Sequence, residues 1–163
     1  AGLEEEYRSI RLAMDALERA NSTLQSRFSP ALGHRAAEIF HQLSGGRYSG
    51  VVLDRAFHLS AEPAGQSEYR PAAYLSAGAV DQLYLAVRLA ICELVLPAAD
   101  PAPLVLDDAL ATFDDTRCTA ALQWLKKEAQ KRQILLFTCH SREAALLSGD
   151  PAVHVQRLSL STL

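Results

Sequence analysis

The segment from Ala77 to about Leu96 constrains this chain most. Read as a helix, it is apolar on almost every face, interrupted mainly by Asp81, Gln82, Arg88 and Glu93. A helix with no broad polar side must be packed inside a domain. The residues that follow supply the packing. Leu104-Val-Leu is a short apolar run that ends in Asp107-Asp108, and Gln133–Thr138 is a second. Between and after them the pattern predicts a helix from Asp114 or Asp115 to about Arg132, a short helix over Ser141–Leu147 and a last strand over Val153–Leu160. Helices alternating with short buried strands predict an α/β fold with a mainly parallel sheet flanked by helices. Pro97 to Pro103 is the proline-rich link into the first of these strands.

The N-terminal part has a different rhythm. Leu3, Tyr7, Ile10, Met14, Leu17, Asn21, Leu24 and Phe28 alternate in steps of four and three, the seam of a heptad repeat. Glu4, Glu5, Glu6, Arg8, Arg11, Asp15, Glu18 and Arg19 occupy the other faces. This spacing predicts a coiled-coil helix over residues 1–28; an amphipathic helix lying on its own domain is the alternative. Asn21 at a seam position would fix register or mark where a coil splays. Ser29-Pro30 reads as the start of a new helix, with serine as cap and proline in the first turn, running to about Leu43 and stopping at Gly45-Gly46. Tyr48–Asp54 and Ala56–Ala61 read as strands, residues 62–67 as a turn and Glu68–Tyr74 as a short strand or loop. Residues 29–163 are thus expected to form the globular lobe.

Composition excludes several classes. Net charge is −3, so no global electrostatic attraction favours nucleic acid. Lys126, Lys127, Lys131 and Arg132 form one local basic group, better read as a solvated helix face than as a phosphate-binding patch. Cys92, Cys118 and Cys139 show no metal-ligand or CxxC spacing and read as buried free thiols of a reducing compartment. No apolar run reaches the length of a membrane span, and no signal peptide opens the chain.

Three features carry chemistry. Asp107-Asp108 lies at the C-terminal end of a buried strand, where α/β sheets bind ligands. Neighbouring strand residues point to opposite faces, so one carboxylate can address a metal and the other a water; a pair of turn caps is the plain alternative. Ser76-Ala77-Gly78 opens the apolar helix and offers a hydroxyl and free N–H groups to an anion such as phosphate, or serves as an ordinary serine cap. His140 follows the second buried strand and so emerges at the same sheet edge, where imidazole can bond a phosphate oxygen or water. A lone loop histidine is more often incidental, and His34, His41, His58 and His154 form no constellation. Clustered acids are too few for a free-standing metal-dependent phosphoesterase.

In this order the three features form a pattern. LSAGAVDQLYLAVRLA resembles the signature motif of ABC-type ATPases in the version used by SMC and SbcC-like proteins. LVLDDALATFD resembles their Walker B strand and D-loop, and LLFTCH their H-loop strand. HQLSGGRYSGVVLD resembles a segment of SbcC-like and YhaN-like proteins. The resemblance implies the C-terminal lobe of a P-loop ATPase head. It also implies roles by position. Ser76 and Gly78 would meet the γ-phosphate of a nucleotide held by an opposite head. Asp107 would support Mg2+, Asp108 would stand where a catalytic glutamate polarises water, Asp114 would be the D-loop aspartate and His140 the switch histidine. Arg88 matches an arginine of the SbcC-like signature helix, with a plain salt bridge as the alternative, and Arg117 is placed to pair with Asp114 or Asp115.

Two departures stand out. Asp108 is one methylene shorter than glutamate, which predicts slow hydrolysis or a role mainly in ATP-gated dimerisation. Ala77 replaces the first glycine of the signature pair. The phosphate loop with its lysine and hydroxyl is absent, and Gly45-Gly46-Arg47-Tyr48 does not supply it. The resemblance therefore implies half a head. Its partners would be a Walker A lobe, a second head as homodimer, and possibly DNA and a nuclease subunit, with no membrane. The setting would be the bacterial cytoplasm, at the nucleoid, and the process chromosome maintenance or DNA repair. A catalytically degenerate head, or a coiled-coil dimerisation module, is the alternative of a different class.

Overall fold

A computed structural model describes residues 2–54, 56–96, 99 and 101–158, with the backbone alone for 24–27. One helix, α1 (Gly2–Leu43), spans the whole N-terminal part, with Pro30 inside it. The expected break at Ser29-Pro30 is therefore absent. The proline φ suits a helix, and its cost is a missing N–H and a clash with the preceding turn, about 3 kcal/mol. Burial directly downstream offsets that cost. Leu32, Ala36, Ile39, Phe40 and Leu43 lie on one face and are buried. Upstream, the seam residues Leu3, Tyr7, Ile10, Met14 and Leu17 are all more than half exposed (54–84%). The helix is thus a stalk on a buried root.

The root lies on a three-stranded antiparallel sheet formed by β1 (Tyr48–Leu53), β2 (Leu59–Pro63) and β3 (Arg70–Pro71), in that order. Val51 pairs with Ala61, and Ala61 with Arg70. A Cβ on Gly33 would stand 3.0 Å from the Val51 carbonyl oxygen, so a glycine lets α1 approach β1. Phe40 stacks on Tyr48, ring centroids 4.5 Å apart. The second strand begins later than the sequence pattern suggests. The Asp54 carboxylate takes the N–H groups of Ala56 and His58, which curls this stretch into a turn with Phe57 at φ +61°. The following turn, at Ala64-Gly65, falls within the expected stretch 62–67.

Helix α2 (Ala77–Val95) packs on the other side of the root. The buried Gln82 amide donates to the Leu43 carbonyl, satisfying an orphan acceptor at the end of α1. Arg35 of α1 grips Glu93 of α2 through Nε and Nη2, and this two-pronged pairing raises the arginine pKa further. The remaining elements are β4 (Leu104–Asp107), α3 (Asp115–Glu128), β5 (Ile134–Phe137) and α4 (Ser141–Leu146). Strands β4 and β5 are parallel, Leu104 opposite Ile134 and Asp107 opposite Phe137. Val105, Leu135 and Phe137 of this pair are exposed by 40–57%.

The expected last strand does not form over residues 153–158, and 159–160 lie outside the described residues. Asp150 captures that stretch instead: its carboxylate accepts from Ala152 N–H and its carbonyl from Val153 N–H. Pro30→Ala tests the continuous helix. Because Pro30 lies inside α1 beside buried Leu32, the substitution should raise unfolding free energy in urea by about 1–3 kcal/mol. An unchanged or lower value would mean that a helix starts at residue 30.

Candidate functional site

Asp107 ends β4 with its carboxylate exposed. Asp108 follows at φ +45°, a left-handed conformation that aspartate tolerates better than most residues. This turn sets its carboxylate across the top of the strand pair. Asp108 Oδ1 accepts from Cys139 N–H at 3.0 Å, and Asp108 N–H donates to the Phe137 carbonyl at 2.9 Å. The next amide, His140 N–H, donates to Thr138 Oγ1 at 3.0 Å. Asp107, Asp108 and His140 therefore gather at the C-terminal ends of the two parallel strands, and the His140 imidazole is exposed. The expectation that both strands deliver their polar residues to one edge is met.

The second cluster surrounds the start of α2. Ser76 occupies the N-cap position but makes no side-chain cap bond, and its hydroxyl is exposed. The first α2 amides that bond back are Ala79 and Val80, both to the Ser76 carbonyl. Gly78 meets Arg117: a Cβ there would lie 2.0 Å from Arg117 Nη1. Only glycine leaves room for that guanidinium. Asp114 caps α3, its Oδ1 accepting from Arg117 N–H at 2.8 Å and its Oδ2 lying 3.4 Å from Arg117 Nε. Arg117 thus ties Asp114 at the start of α3 to Gly78 at the start of α2. Pairing of Arg117 with Asp114 is legible in the sequence, but its seat on Gly78, a contact between distant segments, is not. Among the described residues no hydrogen bond or ion pair joins Ser76 or Gly78 to Asp107, Asp108 or His140. Among the described residues these form two separate clusters, not one closed site.

Among the described residues, no group of three or more His, Cys, Asp or Glu could hold a metal by itself. Of the cysteines, Cys118 alone is buried; Cys92 is half-buried and Cys139 exposed, because the Cys139 backbone is pulled to Asp108 at the strand end. Burial pushes the Cys118 thiol pKa up, with nearby Glu143 adding to the rise. Arg88 is exposed on α2. Lys126 pairs with Asp150, and Lys131 and Arg132 pair with buried Glu128, so the basic group is largely neutralised within the lobe. No helix among the described residues is long and apolar enough to cross a membrane.

No protein-family model matches the chain. The uncharacterized protein YhaN of Bacillus subtilis is 28% identical over 127 residues, which is 77% of this chain but 13% of that protein. An SMC ATPase structure from work on ATP-driven dimerization and DNA-stimulated activation superposes with a TM-score of 0.64 at 21% identity, covering 78% of each chain. The Smc head domain of Pyrococcus furiosus, with an extended coiled coil and bound to the C-terminal domain of ScpA, gives a TM-score of 0.59 at 22% identity. That match covers 88% of this chain and 37% of the other. The fold is that of the C-terminal portion of an SMC-type ATPase head with the root of its coiled coil, as the resemblance to SMC and YhaN-like proteins implies.

The Gly78 contact generates a direct test. Gly78→Ala should leave stability within about 1 kcal/mol, because alanine improves helix propensity while the long arginine can move aside. It should nevertheless expel the guanidinium, and the Arg117 Nε–H signal in NMR should lose its protection from solvent. A signal unchanged from the parent chain would show that Arg117 does not rest on Gly78.

Proposed function

We propose that this chain is the C-terminal lobe of an SMC-like ATPase head and supplies half of a nucleotide site shared between two heads. One observation carries this reading. The acids and histidine gather at the ends of a strand pair whose apolar side chains Val105, Leu135 and Phe137 stay exposed, while the sequence holds no phosphate loop. Such a strand pair is suited to being completed by a Walker A lobe.

The residues present fit ATP and Mg2+. Asp107 is an exposed carboxylate free to support a cation that characteristically takes one or two carboxylates plus phosphate oxygens and water. The uncommitted Ser76 hydroxyl and the first amides of α2 suit a phosphate at a helix N-terminus. When bound, the magnesium nucleotide supplies the reacting phosphoryl group and the charge that offsets it. Asp107 supports the cation, usually through water. Asp108 takes the position of the base that orients the attacking water. His140 bonds the γ-phosphate. Ser76 and Gly78 reach across to the nucleotide of the opposite head, and Asp114 sits at the same interface. The exposed α1 seam continues into a coiled coil that relays head opening and closing. In the complete protein this cycle serves chromosome maintenance or DNA repair in the bacterial cytoplasm.

Asp108 favours slow turnover. It is shorter than glutamate, and one of its oxygens already accepts from Cys139 N–H. The same observation favours a second reading, a degenerate head that pairs without chemistry.

The isolated chain should show no magnesium-dependent ATPase above background. Mixing it with a Walker A lobe should restore activity, and Asp108→Glu should raise the single-turnover rate. Activity of the isolated chain would overturn the half-site reading. A mixture inactive with either residue at 108 would establish the degenerate head instead.

A further inference from the structure

Behind His140 lies a carboxylate with no part in the roles above. Glu143, in the first turn of α4, is only 1% exposed. A buried carboxylate is costly unless donors surround it. Three do. Thr138 Oγ1–H donates to Oε2 at 3.3 Å, Arg142 Nε–H to Oε1 at 3.1 Å and Cys118 Sγ–H to Oε1 at 3.8 Å. Each donor touches a different part of the site. Thr138 also accepts from His140 N–H at 3.0 Å. Arg142 also donates through Nη2 to the Leu110 carbonyl at 2.8 Å, and its Nη1 lies 3.6 Å from Asp115 Oδ1. Cys118 is in the first turn of α3, which Asp114 caps. The Glu143 bond raises the Arg142 pKa, so the arginine stays a cation throughout.

We propose that Glu143 is a positioning residue that sets the His140 loop and the D-loop from one buried point. Through Thr138 it fixes the backbone of His140, and through Arg142 it fixes the Leu110 carbonyl and the stretch leading to Asp114. Neither link touches nucleotide. The two loops cannot shift independently without leaving the carboxylate short of a donor, a heavy penalty for a buried charge. The role in turnover rests on the head reading above, whereas the geometry of the relay is a property of this chain alone.

Two measurements separate these. The first is amide hydrogen exchange by NMR on this chain. His140 N–H should be protected, and Thr138→Val, which keeps the shape and loses the hydroxyl, should cut that protection by about tenfold. Thr138→Ser should keep it. Glu143→Gln retains an acceptor for Thr138 but loses the charge that holds Arg142. It should spare His140 N–H while loosening amides 111–113 of the D-loop. Protection unchanged in the valine variant, or D-loop amides unchanged in the glutamine variant, would overturn the relay. The threonine pair decides the first link even if Glu143→Gln does not fold. The second measurement is turnover in the assembled head. Thr138→Val should lower kcat by about tenfold with KM little changed, and Thr138→Ser should restore it. Equal kcat in the three would overturn the positioning role. A parent head without turnover would remove the ATPase reading and leave the exchange result standing.

Discussion

The packing of one helix end holds this lobe together. Ile39, Phe40 and Leu43 of α1 sit fully buried between the antiparallel sheet and α2. That burial lets α1 run through Pro30, gives α2 a partner on its apolar side, and closes the carbonyl end of α1 with Gln82. The Arg35–Glu93 pair adds a second clamp between the same two helices. The root of the stalk and the helix that begins just after Ser76 are thus packed directly on each other.

Around that core two of the exposed apolar surfaces bear on the proposed function. One is the α1 seam, where Tyr7, Ile10, Met14 and Leu17 face solvent. The other is the β4–β5 pair, with Val105, Leu135 and Phe137 exposed. The polar residues divide the same way. Asp107, Asp108 and His140 crown the strands, whereas Gly78 and Asp114 meet through Arg117. The proposed function accounts for the separation by having another lobe complete one cluster and another head the other.

Much of this was legible in the sequence, because short-range patterns set it. The apolar α2, the two runs ending in Asp107-Asp108 and Thr138-Cys139-His140, and Asp114 as a cap all depend on local spacing, although α2 is not packed on every side as expected: Tyr84, Arg88, Ile91 and Val95 form an exposed face. The misjudged elements depend on competition between local and tertiary forces. Ser29-Pro30 has the chemistry of a helix start, but burial of Leu32 and its neighbours outweighs the proline penalty. Val153–Leu160 has strand-like alternation, but Asp150 draws the chain into a turn at Ala152 and takes the Val153 amide at the start of the expected strand. Arg117 on Gly78 and Glu143 behind His140 join distant segments or buried side chains, and no spacing rule reports such contacts.

In the proposed reading the β4–β5 pair is part of a larger sheet completed by a Walker A lobe. Hydrogen exchange of the amides in β4 and β5, with and without that lobe, tests it most directly. Residues 104–107 and 134–137 should gain strong protection on mixing, while amides in β1 and β2 stay as they were. Unchanged exchange in β4 and β5, with the two lobes bound to each other, would contradict it.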